Sequence, residues 1–288
     1  MQTPRKWTRP SLATTAIAGD AFAAHVRAAL EQIAANSRGA AEGRDPEYLH
    51  QLRVGVRRLR SILRVFRELL RRRRAEAVQK SWRAVMRTLG RARDWDVFRS
   101  TIESGVLRAL ADSRRADAQR RVRAVVRSAL FREAQRQAGA WAQGRPWRRH
   151  ANPGERLSRF GARALQRLFV RLRESAGGID WTDAPRRHKV RIRVKQMRYG
   201  CDLFETAFSR PRARAFAATL HVLQGVLGEL NDIEVQHRLL RRMAPLARTP
   251  KYAEALAAHR LVLAAREREF SAALGPYWQS REAARAKG

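Results

Sequence analysis

One histidine and a row of arginines dominate residues 46–74 of this sequence. They are spaced alternately by three and four residues and comprise His50, Arg53, Arg57, Arg60, Arg64, Arg67 and Arg71. On a helix, at about 100° per residue, this spacing places all seven side chains in one narrow stripe. A guanidinium group donates paired hydrogen bonds to phosphate oxygens and keeps its charge, so such a stripe is a candidate anion-binding surface.

The opposite face of the same segment is apolar. It carries Leu52, Val56, Leu59, Ile62, Leu63, Phe66, Leu69 and Leu70. Asp45 and Pro46 are residue types preferred at the N-cap and at the first helical position. The pattern predicts a helix over 46–74 that packs through one face and presents the stripe on the other.

The first part of the stripe recurs 138 residues later, as His188, Arg191, Lys195 and Arg198. A repeated set at matched spacing argues against a chance surface pattern. The second copy then departs, because Asp202 and Glu205 stand where the first copy has Arg64 and Arg67. The sequence predicts two cationic stripes, of which the second is shorter and ends in acidic residues.

A Leu-Gly-x3-Asp motif follows each set and ends at Asp94 in the first copy and at Asp232 in the second. Gly90 and Gly228 are expected where two helices meet closely or turn. The aspartates are expected to cap the next helix or to hold a stripe arginine in place. A catalytic carboxylate is the alternative, and it has no acidic partner at helical spacing.

A third predicted helix adds three more basic residues at the same spacing, Lys80, Arg83 and Arg87. Their matches in the second copy are Ala218, His221 and Gly225, so only the Arg83/His221 position keeps a potential cation. Membership of the binding surface and ordinary surface solvation both remain open for Lys80, Arg83 and Arg87.

The competing interpretations of the stripe are a solvated surface and a metal or phosphoryl site at His50 and His188. A solvated helix normally carries acidic residues one turn away that relieve the repulsion, and none appears between His50 and Glu68. A metal would need further neutral or anionic ligands, whereas the neighbours are cationic. Walker-type loops, HExxH, a Cys–His cluster and GxSxG are absent, so no cofactor is expected.

The composition supports a polyanionic partner. The net charge is +35, and six of the 61 basic residues are Lys, which leaves 55 Arg. A compact chain with this charge repels itself unless a polyanion neutralises it. A single cysteine, Cys201, fits a reducing compartment, and no apolar run is long enough to span a membrane. The cytoplasm is the expected location.

Good helix formers dominate the sequence, and no alternating strand pattern appears, so the fold is predicted to be all-α. The predicted helices are 18–36, 46–74, 76–90, 94–111, 113–143, 156–175, 184–208, 212–229, 231–244 and 250–284. We expect an N-terminal tail at 1–14, then one domain at 15–285 with repeat halves 15–143 and 155–285 joined by a linker at 144–154. A pseudo-two-fold arrangement is the natural packing for such a duplication.

Two copies of H-x2-R-x3-[RK]-x2-R, each followed by LG-x3-D, resemble the CHAD family, the conserved histidine α-helical domain. The resemblance covers roughly residues 15–285 and implies two four-helix bundles with basic helices around a central pore or groove. It also implies inorganic polyphosphate as the ligand, with some members of the family on polyphosphate granules. The residues that it implies for binding are His50, Arg53, Arg57, Arg60, His188, Arg191, Lys195 and Arg198. Arg83 and His221 match the basic position before the LG motif, where His221 departs from the expected Lys or Arg.

Three functions are compatible with the sequence. The first is a non-enzymatic, stand-alone polyphosphate-binding protein, because a narrow groove of guanidinium groups suits a flexible polyanion without bases. The second is a nucleic-acid or nucleoid protein, which the charge alone would allow. The third is a metal-dependent phosphohydrolase or phosphotransfer protein, for which the sequence supplies no clear metal site or nucleophile.

Overall fold

The computed structural model describes residues 3–144, 146–208, 211–246 and 249–286, and it leaves out the side chains of 212, 273 and 275–286. Residues 1 and 2 of the predicted tail and residue 145 of the predicted linker lie outside the described residues. Within the described ranges the chain forms no strand. Its helices are α1 (Ala18–Glu42), α2 (Pro46–Val65), α3 (Arg72–Thr101), α4 (Gly105–Val126), α5 (Ala129–Gln143), α6 (Leu157–Ala176), α7 (Ala184–Phe204), α8 (Pro211–Met243) and α9 (Pro250–Ala286). The all-α prediction is confirmed.

Helix α2 begins as its sequence predicts. The carboxylate of Asp45 accepts a hydrogen bond from the Glu47 N–H at 2.7 Å, and Pro46 occupies the first helical position. The residues of the predicted apolar face, Leu52 through Leu70, are all buried.

The prediction that this helix runs to residue 74 is wrong. Helix α2 ends at Val65, and α3 begins at Arg72 after a connection whose Phe66, Leu69 and Leu70 are buried. Arg67 and Arg71 therefore lie in the connection, and the stripe on α2 ends at Arg64. No Gly or Pro marks the break, because burial of the three apolar side chains fixes it rather than turn chemistry.

The predicted breaks after residues 90 and 229 are also wrong, because α3 and α8 are continuous there. Gly90 and Gly228 lie inside these helices. Asp94 and Asp232 also lie inside them, so neither aspartate is the N-cap of a helix. Conversely, the segment predicted as one helix over 113–143 is two helices. Ser128 separates them, and its side chain accepts a hydrogen bond from the Phe131 N–H at 3.2 Å as the N-cap of α5.

The chain forms two compact units. The first comprises Met1–Val97, Asp112–Gln166 and Tyr199–Ser209. Its core contains four rings from four different parts of the chain, Phe22, Phe66, Phe160 and Phe204. Phe66 stacks on Phe160 with ring centroids 5.1 Å apart, and Phe204 lies 5.7 Å from Phe66.

The predicted tail and linker both pack against this first unit. The Gly19 N–H donates to the Pro153 carbonyl at 2.8 Å, which bonds the linker to the start of α1. The Arg5 N–H donates to the Asn36 side chain at 3.1 Å. The start of the chain is thus held by hydrogen bonds.

The second unit comprises Phe98–Ala111, Arg167–Arg198 and Arg210–Gly288. Its core includes Val190 and Val194 of α7 and Leu227, Leu230 and Ile233 of α8, all buried. Thr101 donates to the Gln236 side chain at 2.9 Å and so joins the end of α3 to α8.

Helix starts recur with the offset of the sequence repeat. Pro46 and Ala184 begin α2 and α7, 138 residues apart, while α6 and α8 begin within one residue of the positions that match the starts of α1 and α3. The second copy departs at its end, because a single helix, α9, follows where the first copy has α4 and α5. The compact units do not coincide with the predicted halves, and the pseudo-two-fold relation and the central groove stay predictions. No helix among the described residues is sufficiently long and apolar to span a membrane.

Candidate anion-binding site

The first stripe lies on α2, and α3 runs antiparallel beside it. Gln79, near the start of α3, donates to the Arg60 carbonyl at 2.8 Å, whereas Gly90, further along α3, approaches Arg53. Basic residues of both helices therefore share one surface of the first unit.

Arg60 is the best-defined member of the first stripe. Its side chain is half-buried, and its Nε donates to the Gln79 side-chain oxygen at 3.4 Å. Burial lowers the pKa of Arg60, and the nearby positive charge of Arg83 lowers it further. A neutral glutamine thus orients the guanidinium without neutralising it, and a second guanidinium lies close by.

Arg57 stands one turn before Arg60. Its Nε atom is buried and has no hydrogen-bond partner among the described residues. Its guanidinium carbon lies 5.8 Å from the centroid of the Tyr199 ring. The neighbouring Arg58 lies 5.6 Å from the same ring, and it also lies 4.6 Å from the Trp7 ring and 3.9 Å from the Asp202 carboxylate.

His50 is half-buried at the start of the stripe. Burial lowers its pKa, and the positive charge of Arg93 is the next largest cause. Arg57 and Arg53 also lower the pKa, while Glu47 opposes them. His50 is therefore placed among cations that favour its neutral form.

Arg93 was not among the predicted site residues. The predicted break between residues 90 and 94 placed it in a connection, whereas it lies on the continuous helix α3 close enough to His50 to affect its pKa. Recognition that a glycine is tolerated inside a helix would have placed Arg93 on the same continuous helix as Arg83 and Arg87.

The other predicted members of the first surface have different exposure. Arg64 is half-buried in the last turn of α2, and Lys80, Arg83 and Arg87 are exposed on α3. The effect of Arg83 on Arg60 joins α3 to the stripe. Lys80 and Arg87 share the helix but have no contact that assigns them to the site.

The second stripe lies on α7 in the second unit. His188 is exposed near the helix start, and Arg191 and Lys195 are partly buried. The Arg191 guanidinium lies 4.0 Å from the Asp232 carboxylate on α8. Asp232 therefore takes the second of its two predicted structural roles, beside a stripe arginine.

Arg198 ends this set and repeats the arrangement seen at Arg60. Its Nε donates to the Gln224 side-chain oxygen at 2.6 Å. Gln224 lies on α8, as does His221, whose side chain is exposed. The two arginines at matching positions are thus both held by a neutral glutamine, although the two glutamines do not match in the repeat.

Acidic residues lie beside the second stripe and follow it in the chain. A shallow pocket beside His188 and Arg191 is lined on its α8 side by Asn231 and Glu234. Further along the chain, Asp202 and Glu205 belong to the first unit, where they contact Arg58 and Arg9. The acidic end of the second stripe is therefore engaged with basic side chains of the protein.

The described residues hold no cluster of three or more His, Cys, Asp or Glu side chains arranged to bind a metal ion. The stripes consist instead of permanent hydrogen-bond donors. Guanidinium groups have no acceptor atom and do not lose their proton, so the arrangement can bind and orient an anion.

Fold and site together define an all-helical protein with duplicated cationic helix faces. The CHAD domain family model matches residues 24–241. This chain therefore belongs to the CHAD domain family, which is known in general for binding polyphosphate.

Two solved structures are similar to this chain. The crystal structure of the CHAD domain from the plant Ricinus communis is 29% identical, with 96% of each chain covered and a TM-score of 0.83. PptA from Streptomyces chartreusis is 20% identical, with 92% of this chain and 100% of that chain covered and a TM-score of 0.66, which shows the shared fold. No curated protein matches the chain.

Proposed function

We propose that this chain binds inorganic polyphosphate through the stripes on α2 and α7 and performs no catalysis on it. The observation that carries the proposal is the cluster around Arg60. Two guanidinium groups, those of Arg60 and Arg83, lie close enough for one to lower the pKa of the other, and the group that fixes Arg60 is a neutral glutamine. This repulsion destabilises the free protein, and a bound polyanion relieves it.

The chemistry of the ligand follows from the donors. Arg53, Arg57 and Arg60 present charged N–H groups along one helix face over about 10 Å, at 1.5 Å per residue. A flexible chain with one charge for each phosphate can follow such a row, and it has no base edges that need to be read. The assignment of His50, His188 and the basic residues of α3 and α8 to the same ligand rests on their positions beside the stripes.

The proposal places the protein in the cytoplasm and on polyphosphate granules, where its ligand would be concentrated. It includes no reaction step, since guanidinium groups neither accept a proton nor act as nucleophiles at neutral pH.

The test compares long-chain polyphosphate with duplex DNA at several salt concentrations. We expect both affinities to fall linearly on logarithmic axes as salt rises, because neutralised phosphates release counterions. At physiological salt we expect polyphosphate to bind at least about a hundredfold more tightly, a difference of about 2.7 kcal/mol. Equal affinity for DNA would contradict the proposal and favour a nucleic-acid protein. Phosphate release from polyphosphate with a divalent metal would contradict the absence of catalysis.

A pair of triple variants locates the binding surface. Arg53→Ala with Arg57→Ala and Arg191→Ala removes three stripe charges. The control removes the same charge from exposed arginines on α4 and just after it, Arg120→Ala with Arg121→Ala and Arg127→Ala. We expect the stripe variant to lose polyphosphate binding while its helical circular dichroism is unchanged. Equal losses from both variants would mean that bulk charge alone binds the ligand.

A further inference from the structure

A second cluster of arginines lies at the end of the α2–α3 hairpin, outside the stripes. The connection and the first turn of α3 carry Arg67, Arg71, Arg72, Arg73 and Arg74, all exposed. From sequence alone, the last three form an unmatched charge run with no assigned role. The structure shows what lies beside them.

The segment that follows α5 pairs with this connection. Leu70 and Trp147 form an antiparallel backbone bridge. The Arg71 N–H donates to the Pro146 carbonyl at 3.1 Å, and the Arg148 N–H donates to the Leu69 carbonyl at 2.8 Å. The Arg71 side chain adds a bond from its Nε to the Trp147 carbonyl at 2.9 Å. These bonds fix the backbone of Arg148 beside that of Arg71.

The same segment then turns and exposes two further basic side chains. The Ala151 N–H donates to the Arg148 carbonyl at 3.1 Å, so Arg149 and His150 occupy the tip of a turn. His150 has φ +61°, a left-handed conformation that glycine adopts more readily. A histidine at a position that favours glycine puts an imidazole at the exposed tip, next to Arg149, at the cost of local strain.

We infer that these two segments form a second phosphate-binding surface, which holds the part of a long polyphosphate chain that extends beyond Arg64. We call this surface the hairpin-end cluster; it comprises Arg71–Arg74 and Arg148–His150. The inference rests on the proposed function, because its ligand is the same polyphosphate chain that the α2 stripe binds.

Continuity between the two surfaces follows from the hairpin. The stripe runs about 21 Å along α2 from His50 to Arg64, at 1.5 Å per residue. Arg64 lies in the last turn of α2, and the connection leads from there to Arg71 within the same unit. The antiparallel course of α3 returns the chain alongside α2, so the start of α3 lies at the Arg64 end. A short oligophosphate can be held within the stripe, whereas a long chain continues past its end.

The residues of the hairpin-end cluster are all basic. Arg72 pairs with Glu76, one turn further along α3, through an exposed contact of 2.9 Å. Exposed ion pairs of this kind contribute little, so they leave most of the local positive charge available to a polyanion. Because the cluster is exposed, it adds affinity for a long chain without fixing one phosphate in a specific geometry.

The test measures the affinity of each variant for tripolyphosphate and for long-chain polyphosphate at several salt concentrations. The variants are Arg148→Ala with Arg149→Ala, and Arg73→Ala with Arg74→Ala. All four side chains are exposed, and the bridge uses backbone atoms, so the fold is expected to be retained. The matched control is Arg120→Ala with Arg121→Ala, which removes the same charge from exposed positions on α4.

Each hairpin-end variant is expected to weaken long-chain binding about fivefold to tenfold and to reduce the salt slope by about two, with tripolyphosphate binding unchanged. The control is expected to leave both affinities at their original values. An unchanged long-chain affinity, an equal loss in the control, or an equal loss for tripolyphosphate would overturn the inference. The proposed function fails separately, if the unaltered protein does not prefer polyphosphate or if the stripe variant still binds it.

Discussion

The two stripes share a sequence pattern but differ in the side chains that surround them. On α2, Arg60 is held by a neutral glutamine and lies near Arg83, and His50 lies among arginines. On α7, Arg198 is also held by a glutamine, but Arg191 lies 4.0 Å from Asp232. The two sets also end differently, because Arg64 follows the α2 set whereas Asp202 stands at the matching position after Arg198.

This difference indicates that the two copies of a duplicated motif do not contribute equally to ligand binding. A carboxylate beside a stripe arginine must be displaced or tolerated when a polyanion binds, and its negative charge repels the ligand. The α2 stripe carries one more arginine, because Arg64 stands where the α7 set is followed by Asp202, and so it has the larger positive charge. We therefore expect it to supply the larger share of the affinity for polyphosphate.

The largest expected effect comes from removal of each stripe in turn. Arg53→Ala with Arg57→Ala and Arg60→Ala is expected to weaken long-chain polyphosphate binding about a hundredfold to a thousandfold, because a hydrogen bond to a charged group contributes about 1.5–3 kcal/mol. Arg191→Ala with Lys195→Ala and Arg198→Ala is expected to weaken it about tenfold, since Asp232 already offsets part of the charge. Isothermal titration calorimetry at one salt concentration measures both.

The two triple variants are each other's control, because each removes three positive charges from matching positions of the repeat. Equal losses would show that the acidic residues near α7 have no influence on binding. A larger loss from the α7 variant would reverse the comparison. Retention of the helical signal in both separates these outcomes from unfolding.

The sequence predicted the α2 stripe and its packing face well, because both depend on local periodicity. The Asp45 cap and the burial of Leu52, Val56, Leu59, Ile62 and Leu63 needed only helical geometry and residue type. It did not predict where α2 ends. Phe66, Leu69 and Leu70 are compatible with a continued helix, and the turn forms because their side chains are buried together with residues distant in sequence, such as Trp147 and Phe160.

The missed parts of the site have the same origin. Gly90 is a plausible helix breaker in isolation, but packing of α3 beside α2 keeps the helix continuous, and this continuity brings Arg93 to His50. The glutamines at 79 and 224 follow no repeat pattern and carry no charge. Their role depends on which side chain faces them across two helices, which a single sequence does not reveal.

A second prediction tests whether neutrality of the glutamines matters. Gln79→Glu would place a carboxylate against Arg60 and is expected to weaken polyphosphate binding about tenfold, a loss of about 1.4 kcal/mol. Gln224→Glu makes the same change against Arg198 and is expected to cost about threefold, because the second stripe already contains acidic residues. Competition against a labelled polyphosphate measures both variants.

The control for each glutamine is its replacement by alanine, which removes the hydrogen bond without the addition of charge. Gln79→Ala is expected to weaken binding by less than Gln79→Glu. If the two changes at residue 79 have the same effect, the glutamine acts only as a tether, and the argument from its neutrality is wrong.

The smallest expected effect is a pH dependence at His50. Burial and Arg93 lower the pKa of His50 below 6.5 in the free protein, and a bound polyanion favours the charged imidazolium and so raises that pKa. Binding therefore takes up a proton, and affinity is expected to rise about threefold as pH falls through the region near 6.5. In the absence of ligand the pH dependence of stability has the opposite sign. The fold favours neutral His50, so the contribution of His50 to the free energy of unfolding falls as pH falls below 6.5.

His50→Gln is expected to remove this increase in affinity, as measured by binding titrations at pH values on both sides of 6.5 in two buffers of different ionisation enthalpy. His188→Gln is the matched change on α7, where the side chain is exposed and solvent screens its contact with a polyanion. If His188→Gln removes the pH dependence and His50→Gln does not, the half-buried histidine on α2 is not the group that takes up the proton. The α7 stripe would then respond more strongly to the ligand than the α2 stripe, which is the reverse of what their acidic residues indicate.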